Sequence, residues 1–162
     1  MTSGPADPVR VLHFTDPHLF ADAGGALRGT VTLDSLNTVV ADILSRDWPA
    51  ELVFMTGDVI QDDSAEAYQQ FAGAVADIGL PMLCVPGNHD VRPLMQAALN
   101  RSPFHYCDTI RAGNWAFAGI DSCVDGSAGG VISEAELTRL RQLLADEQAE
   151  HVAVCLHLSL IH

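Results

Sequence analysis

Met82-Leu83-Cys84-Val85-Pro86-Gly87-Asn88-His89-Asp90 is the stretch on which the fold turns. A short apolar run that follows Pro81 and closes on Pro86-Gly87 reads as a buried strand ending in a sharp turn. Three polar side chains therefore leave one strand end together. Asn88 offers a neutral carbonyl oxygen, His89 a ring nitrogen and Asp90 a carboxylate, donor types that suit a hard or borderline divalent ion. The same residues also suit a plain tight turn, with Gly87 at positive φ and Asn88 and Asp90 bonded to the backbone. The metal reading gains from recurrence, because three more strands along the chain end in polar groups.

Upstream, Arg10-Val11-Leu12-His13-Phe14 reads as a strand that delivers Thr15-Asp16-Pro17-His18. An aspartate and a histidine two apart on extended chain can face one ion. The loop from Leu19 to Thr30 lies on the site's side of the sheet and, with Gly24, Gly25 and Gly29, is expected to be mobile. Leu33, Leu36, Val39, Val40, Ile43 and Leu44 then mark one face of a helix over Thr32–Arg46, stopped by Trp48-Pro49. Glu51–Met55 is a second strand, whose end presents Thr56-Gly57-Asp58. Asp58 could cap the next helix, but Asp63 with Glu66 three residues on fills that role for a helix over Ser64–Ile78, which leaves Asp58 as a ligand.

Downstream of the opening stretch, a short helix covers Pro93–Leu99. Phe104–Ile110 and Trp115–Ile120 read as strands pairing antiparallel across Arg111–Asn114, and Asp121 as a turn residue. Ser133 with Glu136 makes a capping box for a helix through Ala145, with Leu137, Leu140, Leu143 and Leu144 inward. His151–Leu156 is a last strand, ending in His157. Strands alternating with helices imply a mainly parallel sheet whose functional groups gather beyond the strands' carboxyl ends. Asp16, His18, Asp58, Asn88, His89 and His157 meet there.

Composition narrows the function classes. The chain of 162 residues carries 21 acidic and 8 basic side chains, a net charge of −13, which disfavours nucleic acid and anionic membranes as partners. All basic residues are Arg, so a lysine Schiff base and a Gly-Lys-Ser/Thr phosphate loop are excluded. The start has no secretion-signal pattern and no run reaches a membrane span. Cys84, Cys107, Cys123 and Cys155, widely spaced and largely beside strand-like runs, are expected to be buried free thiols, which points to the cytoplasm.

Six oxygen and nitrogen donors exceed what one tetrahedral ion with open positions needs and suit two ions sharing a carboxylate, for which Asp58 is central. Such a pair lowers the pKa of a bridging water and clamps the attacking and leaving oxygens of a phosphoester. The set Asp16-Pro17-His18, Gly57-Asp58, Gly87-Asn88-His89-Asp90 and His157, in this order and each after a strand, resembles the calcineurin-like metallophosphoesterase superfamily. Phe14–Phe20, Thr56–Asp62 and Ala67-Tyr68-Gln69 are most similar to its bacterial class III cyclic-nucleotide phosphodiesterases.

The resemblance implies an α/β fold of the αββα-sandwich kind and two divalent ions, iron or manganese and sometimes others. Asp16 and His18 would hold one ion, Asp58 would bridge, and Asn88 and His157 would hold the second. His89 would face the phosphate and protonate the leaving oxygen, with His18, Asp58 and Asn88 also touching substrate. The implied reaction is hydrolysis of 3',5'-cyclic AMP to 5'-AMP by a cytoplasmic enzyme that takes a small cyclic nucleotide and could form a homodimer. Gln61, where phosphoprotein phosphatases carry a second Asp, argues against a phosphoprotein substrate. Relatives close the site with Gly-His-x-His beyond the His157 position, whereas this sequence runs His157-Leu158-Ser159-Leu160-Ile161-His162. Residues 1–162 are therefore expected to be the N-terminal portion of the domain, lacking the C-terminal part of the second sheet, and His162 is expected to point away from the site. Another phosphodiester or nucleotide substrate, and an inactive fragment with residual metal binding, stay open as alternatives.

Overall fold

The structure, a computed structural model, describes residues 8–46, 48–146 and 148–158, with residue 146 through its backbone only. Residues 1–7 and His162, on which two of the expectations above bear, lie outside that set. In chain order the elements are β1 (Val11–Phe14), β2 (Ala26–Leu27), β3 (Thr30–Val31), α1 (Thr32–Arg46), β4 (Leu52–Thr56), α2 (Ala65–Ala74), a 3-10 turn Ala76–Ile78, β5 (Met82–Val85) and α3 (Arg92–Leu99). They continue with β6 (Phe104–Tyr106), β7 (Thr109–Ala112), β8 (Trp115–Gly119), β9 (Cys123–Val124), β10 (Ser127–Gly130), α4 (Glu134–Asp146) and β11 (His151–Cys155).

Alternate residues of β4 and β5 belong to two different cores, and this builds the layers. Val53, Met55, Met82 and Cys84 pack with Leu36 and Val40 of α1, Tyr68 and Phe71 of α2, and Met95 and Leu99 of α3. Leu52 and Leu83, one residue out of phase, pack instead with Ile110 and Phe117, with Phe54 and Trp115 around them. The period-two alternation of a strand sends neighbours to opposite faces, so these apolar runs are buried on both sides. The first sheet has the order β1-β4-β5-β6, all parallel. The second has the order β11-β8-β7, with β11 parallel and β7 antiparallel to β8.

The sequence reading of Phe104–Ile110 as one strand is corrected. Cys107 takes φ 46, the chain breaks there, and β6 joins the first sheet while β7 joins the second. Nothing in the residue type marks this break, because left-handed backbone is usually signalled by Gly or Asn. The expected helix Ser64–Ile78 ends earlier, at Ala74, and its N-cap is Ser64, whose hydroxyl accepts the Ala67 N–H, rather than Asp63. In α1 the buried stripe is Leu36 and Val40, flanked by Leu33 and Ile43, while Val39 and Leu44 face out. In α4 the Ser133 hydroxyl caps Glu136 as expected, but Leu144 is 52% exposed rather than inward. The loop from Leu19 to Thr30 contains part of a small hairpin, β2 with β3, and a second hairpin, β9 with β10, also escaped the pattern reading.

Cys84 is buried, but Cys107, Cys123 and Cys155 are half-buried, short of the full burial expected. All four are free thiols. Desolvation, with Asp121 as second cause, pushes Cys107 and Cys123 up to about 12, and desolvation alone pushes Cys155 up to about 11. Because the thiolate is the reactive species, alkylation at pH 8 is expected to run at least about tenfold slower in the folded chain than in denaturant. Equal rates in a stopped-flow labelling assay would contradict this burial. No described helix is long and apolar enough to cross a membrane.

Candidate metal centre

Parallel pairing of β1, β4 and β5 aligns Phe14 with Met55, and Thr56 with Val85, so the three following turns emerge side by side. The turn after β1 is zipped to the turn after β4 by Asp16 N–H to Gly57 O (3.0 Å), His18 N–H to Asp58 O (3.1 Å) and Leu19 N–H to Val59 O (2.8 Å). Within this zipper Asp16, His18 and Asp58 take φ of 54°, 46° and 55°. Left-handed backbone at a non-glycine residue costs about 1–3 kcal/mol each and gathers at functional sites. Three of the six non-glycine residues with positive φ among the described residues are therefore candidate ligands.

Asp58 is buried, 4% exposed. Its Oδ1 accepts the His89 N–H at 2.9 Å. Its Oδ2 lies 3.8 Å from His18 Nε2 and 3.7 Å from His157 Nε2, and His18 Nε2 also lies 3.7 Å from Asp16 Oδ1. These separations are too long for hydrogen bonds. They match two donors on one ion, which at about 2.0–2.2 Å each from the ion stand roughly 3–4.4 Å apart. Two donor groups result, each with all ligating atoms within 4.8 Å of one another: His18, Asp58 and His89, and Asp16, Asp58 and His157. Asp58 is common to both.

The histidines are oriented for such a role. His157 Nδ1 is 2.7 Å from the Thr56 carbonyl, an acceptor only, so Nδ1 carries the proton and Nε2 turns its lone pair towards Asp58. His18 stands edge-on to His89 with ring centroids 5.0 Å apart. His18 Nδ1 is the one buried side-chain nitrogen or oxygen among the described residues without a partner. The nitrogen that faces the carboxylates is the other one, Nε2, 3.7 Å from Asp16 Oδ1 and 3.8 Å from Asp58 Oδ2, and it is this atom that an ion would take. Asn88 is half-buried in the turn it shares with His89. The donor chemistry and the spacing together fit divalent ions.

A profile of the calcineurin-like phosphoesterases matches residues 9–160. The chain belongs to this family. Membership implies divalent metal ions. Among curated relatives, the chain is 37% identical to the 3',5'-cyclic adenosine monophosphate phosphodiesterase CpdA of Escherichia coli K12 over 150 residues, covering 92% of this chain and 54% of that protein. It is 32% identical to the protein of the same name from Haemophilus influenzae, covering 92% and 55%. A probable cyclic nucleotide phosphodiesterase of Synechococcus is 26% identical, covering 96% and 60%. The chain thus spans about half the length of the curated relatives it matches. The solved structure of TT1561 of Thermus thermophilus superposes with a TM-score of 0.56 at 17% identity, covering 91% of this chain and 68% of that one, a likeness of fold.

Two residues of this chain fasten the turns without belonging to either donor group. Asp90 accepts from Gly87 N–H (2.8 Å), Val59 N–H (3.1 Å) and the Tyr68 hydroxyl (3.0 Å), and that hydroxyl accepts the Val91 N–H (3.0 Å). Burial pushes the Asp90 carboxyl up against the opposing pull of these donors, and burial with the nearby Asp90 charge pushes the Tyr68 hydroxyl up. The motif contained Asp90, but its partners lie 22 and 31 positions away, beyond the reach of local pattern reading. Tyr68→Phe is expected to cost about 1–3 kcal/mol by leaving buried polar groups short of a partner. Urea unfolding checks it, and a change below about 0.5 kcal/mol would remove Tyr68 from the fastening.

Proposed function

We propose that this chain carries the metal-binding half of a phosphodiesterase that hydrolyses 3',5'-cyclic AMP to 5'-AMP. The observation that carries the reading is Asp58, a buried carboxylate common to two donor groups. The names of the relatives at 32% and 37% identity support the substrate. Asp16, His18, Asp58, Asn88 and His157 would hold two ions, iron or manganese. When bound, such ions supply an activated water and neutralise phosphate charge.

The chain's own residues do the rest. The Thr56 carbonyl holds His157 in one tautomer, and the zippered turns fix Asp16 and His18 before substrate arrives, so little is reorganised during reaction. Water adds to phosphorus, the bond to the 3'-oxygen breaks, and that oxygen needs a proton. His89 is exposed, stands over His18 and has Nδ1 3.5 Å from Gln61 Nε2. In this reading its ring, which also lies within one donor group, serves the leaving oxygen as general acid instead of holding an ion. His18, Asp58 and Asn88 border the same space. The reading places the enzyme in the cytoplasm with a small nucleotide as its partner.

Incubating the purified chain with Mn2+ and cyclic AMP, beside a glycerophosphodiester and a phosphomonoester, tests this directly. Formation of 5'-AMP in preference to turnover of the other two supports the reading. Turnover confined to another ester would keep the chemistry and reject the substrate.

A further inference from the structure

Apart from Tyr68, two residues with polar side-chain oxygens are buried among the described residues: Asp58, at 4% exposure, and Ser122, at 2%. The first is the common member of the donor groups. The second lies in the connection between β8 and β9 and in neither group, yet its side-chain hydrogen bond runs to the same place. The Ser122 hydroxyl donates to the main-chain carbonyl of His157.

That bond falls where the sheet stops supporting the chain. Pairing of β11 with β8 ends at Cys155 opposite Gly119, and the last backbone bond across it is Ile120 N–H to Cys155 O at 3.0 Å. His157 stands two residues past this end, beyond the ladder that fixes the strand. Ser122 itself is held firmly. Its carbonyl accepts the Val131 N–H at 2.8 Å, and a methyl group added at Gly130 would meet the Ser122 carbonyl oxygen at 2.9 Å, so hairpin and serine are in close contact. The next residue, Cys123, points its Sγ at the Pro86 carbonyl, 3.2 Å away, and its N–H donates to Asp121 Oδ1 at 2.8 Å. Arg92, just past the Gly87–Asp90 turn, reaches back to Asp121, Asp125 and the Cys123 carbonyl. The segment around Ser122 is thus anchored to the first sheet's turns, and through Ser122 it grips the second sheet's contribution to the centre.

We propose that Ser122 is a positioning residue for His157. Its hydroxyl fixes the main chain at His157 while the Thr56 carbonyl fixes the ring at Nδ1, and the two restraints together keep Nε2 aimed at Asp58 from 3.7 Å. One restraint without the other leaves the imidazole free to swing, since a ring bonded at a single atom can pivot on a main chain that drifts. Outer partners that orient a histidine ligand typically change metal affinity by about 10- to 100-fold. This inference rests on His157 being a metal ligand, as proposed above.

The test uses the 162-residue chain as wild type, Ser122→Ala and Ser122→Cys, kept reduced, with thermal melts to confirm folding. Ser122→Cys preserves volume while replacing a strong donor by a weak one. Two readouts are taken: the His157 imidazole 15N and Nδ1 proton signals without metal, and Mn2+ affinity by calorimetry. In both variants the Nδ1 proton signal is expected to broaden or the tautomers to mix, with Mn2+ binding about 10- to 100-fold weaker. An unchanged His157 signal in Ser122→Ala, or wild-type behaviour restored by Ser122→Cys, would overturn the proposal and leave Ser122 a packing residue. If the wild type takes up no Mn2+, the metal reading fails, while the imidazole signals still decide whether Ser122 orients His157.

Discussion

Asp58→Asn is expected to reduce Mn2+-dependent cyclic AMP hydrolysis by about a thousandfold or more, since several kcal/mol of charge stabilisation depend on ions held by a shared carboxylate. The amide keeps the shape and one oxygen to accept the His89 N–H, which Oδ1 now does at 2.9 Å. The turn after β5 therefore stays docked, and the fold without metal should be preserved. What is lost is the negative charge facing His18 and His157 at 3.8 and 3.7 Å. A melting experiment separates the two effects. Ligand binding to the native state stabilises it by about 2.7 kcal/mol at a hundred times the Kd, so Mn2+ should raise the wild-type melting temperature by several degrees and leave the variant's unmoved. Equal Mn2+ stabilisation of both proteins would remove Asp58 from the centre.

The candidate residues could be picked out one strand end at a time, because each motif is local: Asp16 with His18, Gly57 with Asp58, and Gly87 to Asp90. Their convergence followed from strand–helix alternation, which places parallel strand ends together. What could not be read was anything created by the meeting of distant segments. The Thr56 carbonyl that fixes His157 is 101 positions from it, and the Ser122 hydroxyl is 35. The two-layer arrangement was available from family resemblance, yet the point where the chain crosses between sheets was not, since Cys107 carries none of the usual marks of left-handed backbone. The hairpin strand Ser127–Gly130 escaped for a related reason: its residues are small, and no apolar alternation shows on a strand that buries little. Ser64 displaced Asp63 as helix cap because both types cap well and only the backbone decides between them; Asp63 is turned to φ 53, whereas Ser64 is extended.

The second large effect is expected from Gly57→Ala. Gly57 has φ +86, where a side chain is strained by about 1–2 kcal/mol. A β-carbon there would also lie 2.7 Å from the Gly87 Cα, 2.7 Å from the Gly87 nitrogen and 2.7 Å from His157 Nδ1. The Gly87 backbone has nowhere to retreat, because its N–H is bonded to Asp90 Oδ2 at 2.8 Å and its own hydrogen face is pressed on Asp58, where a β-carbon would stand 2.2 Å from Oδ1. The imidazole is the softer neighbour, so it should give way and lose the Thr56 carbonyl. Strain and overpacking together predict about 3 kcal/mol of lost stability, accompanied by loss of Mn2+ binding. Gly73→Ala is the matched control: it sits in α2 with no atom within 4 Å of an added β-carbon, and should stabilise by about 0.5 kcal/mol. Chemical denaturation of the pair measures both. If the two alanines differ by less than about 1 kcal/mol, the close approach of the Gly57 and Gly87 turns is not what holds this centre together.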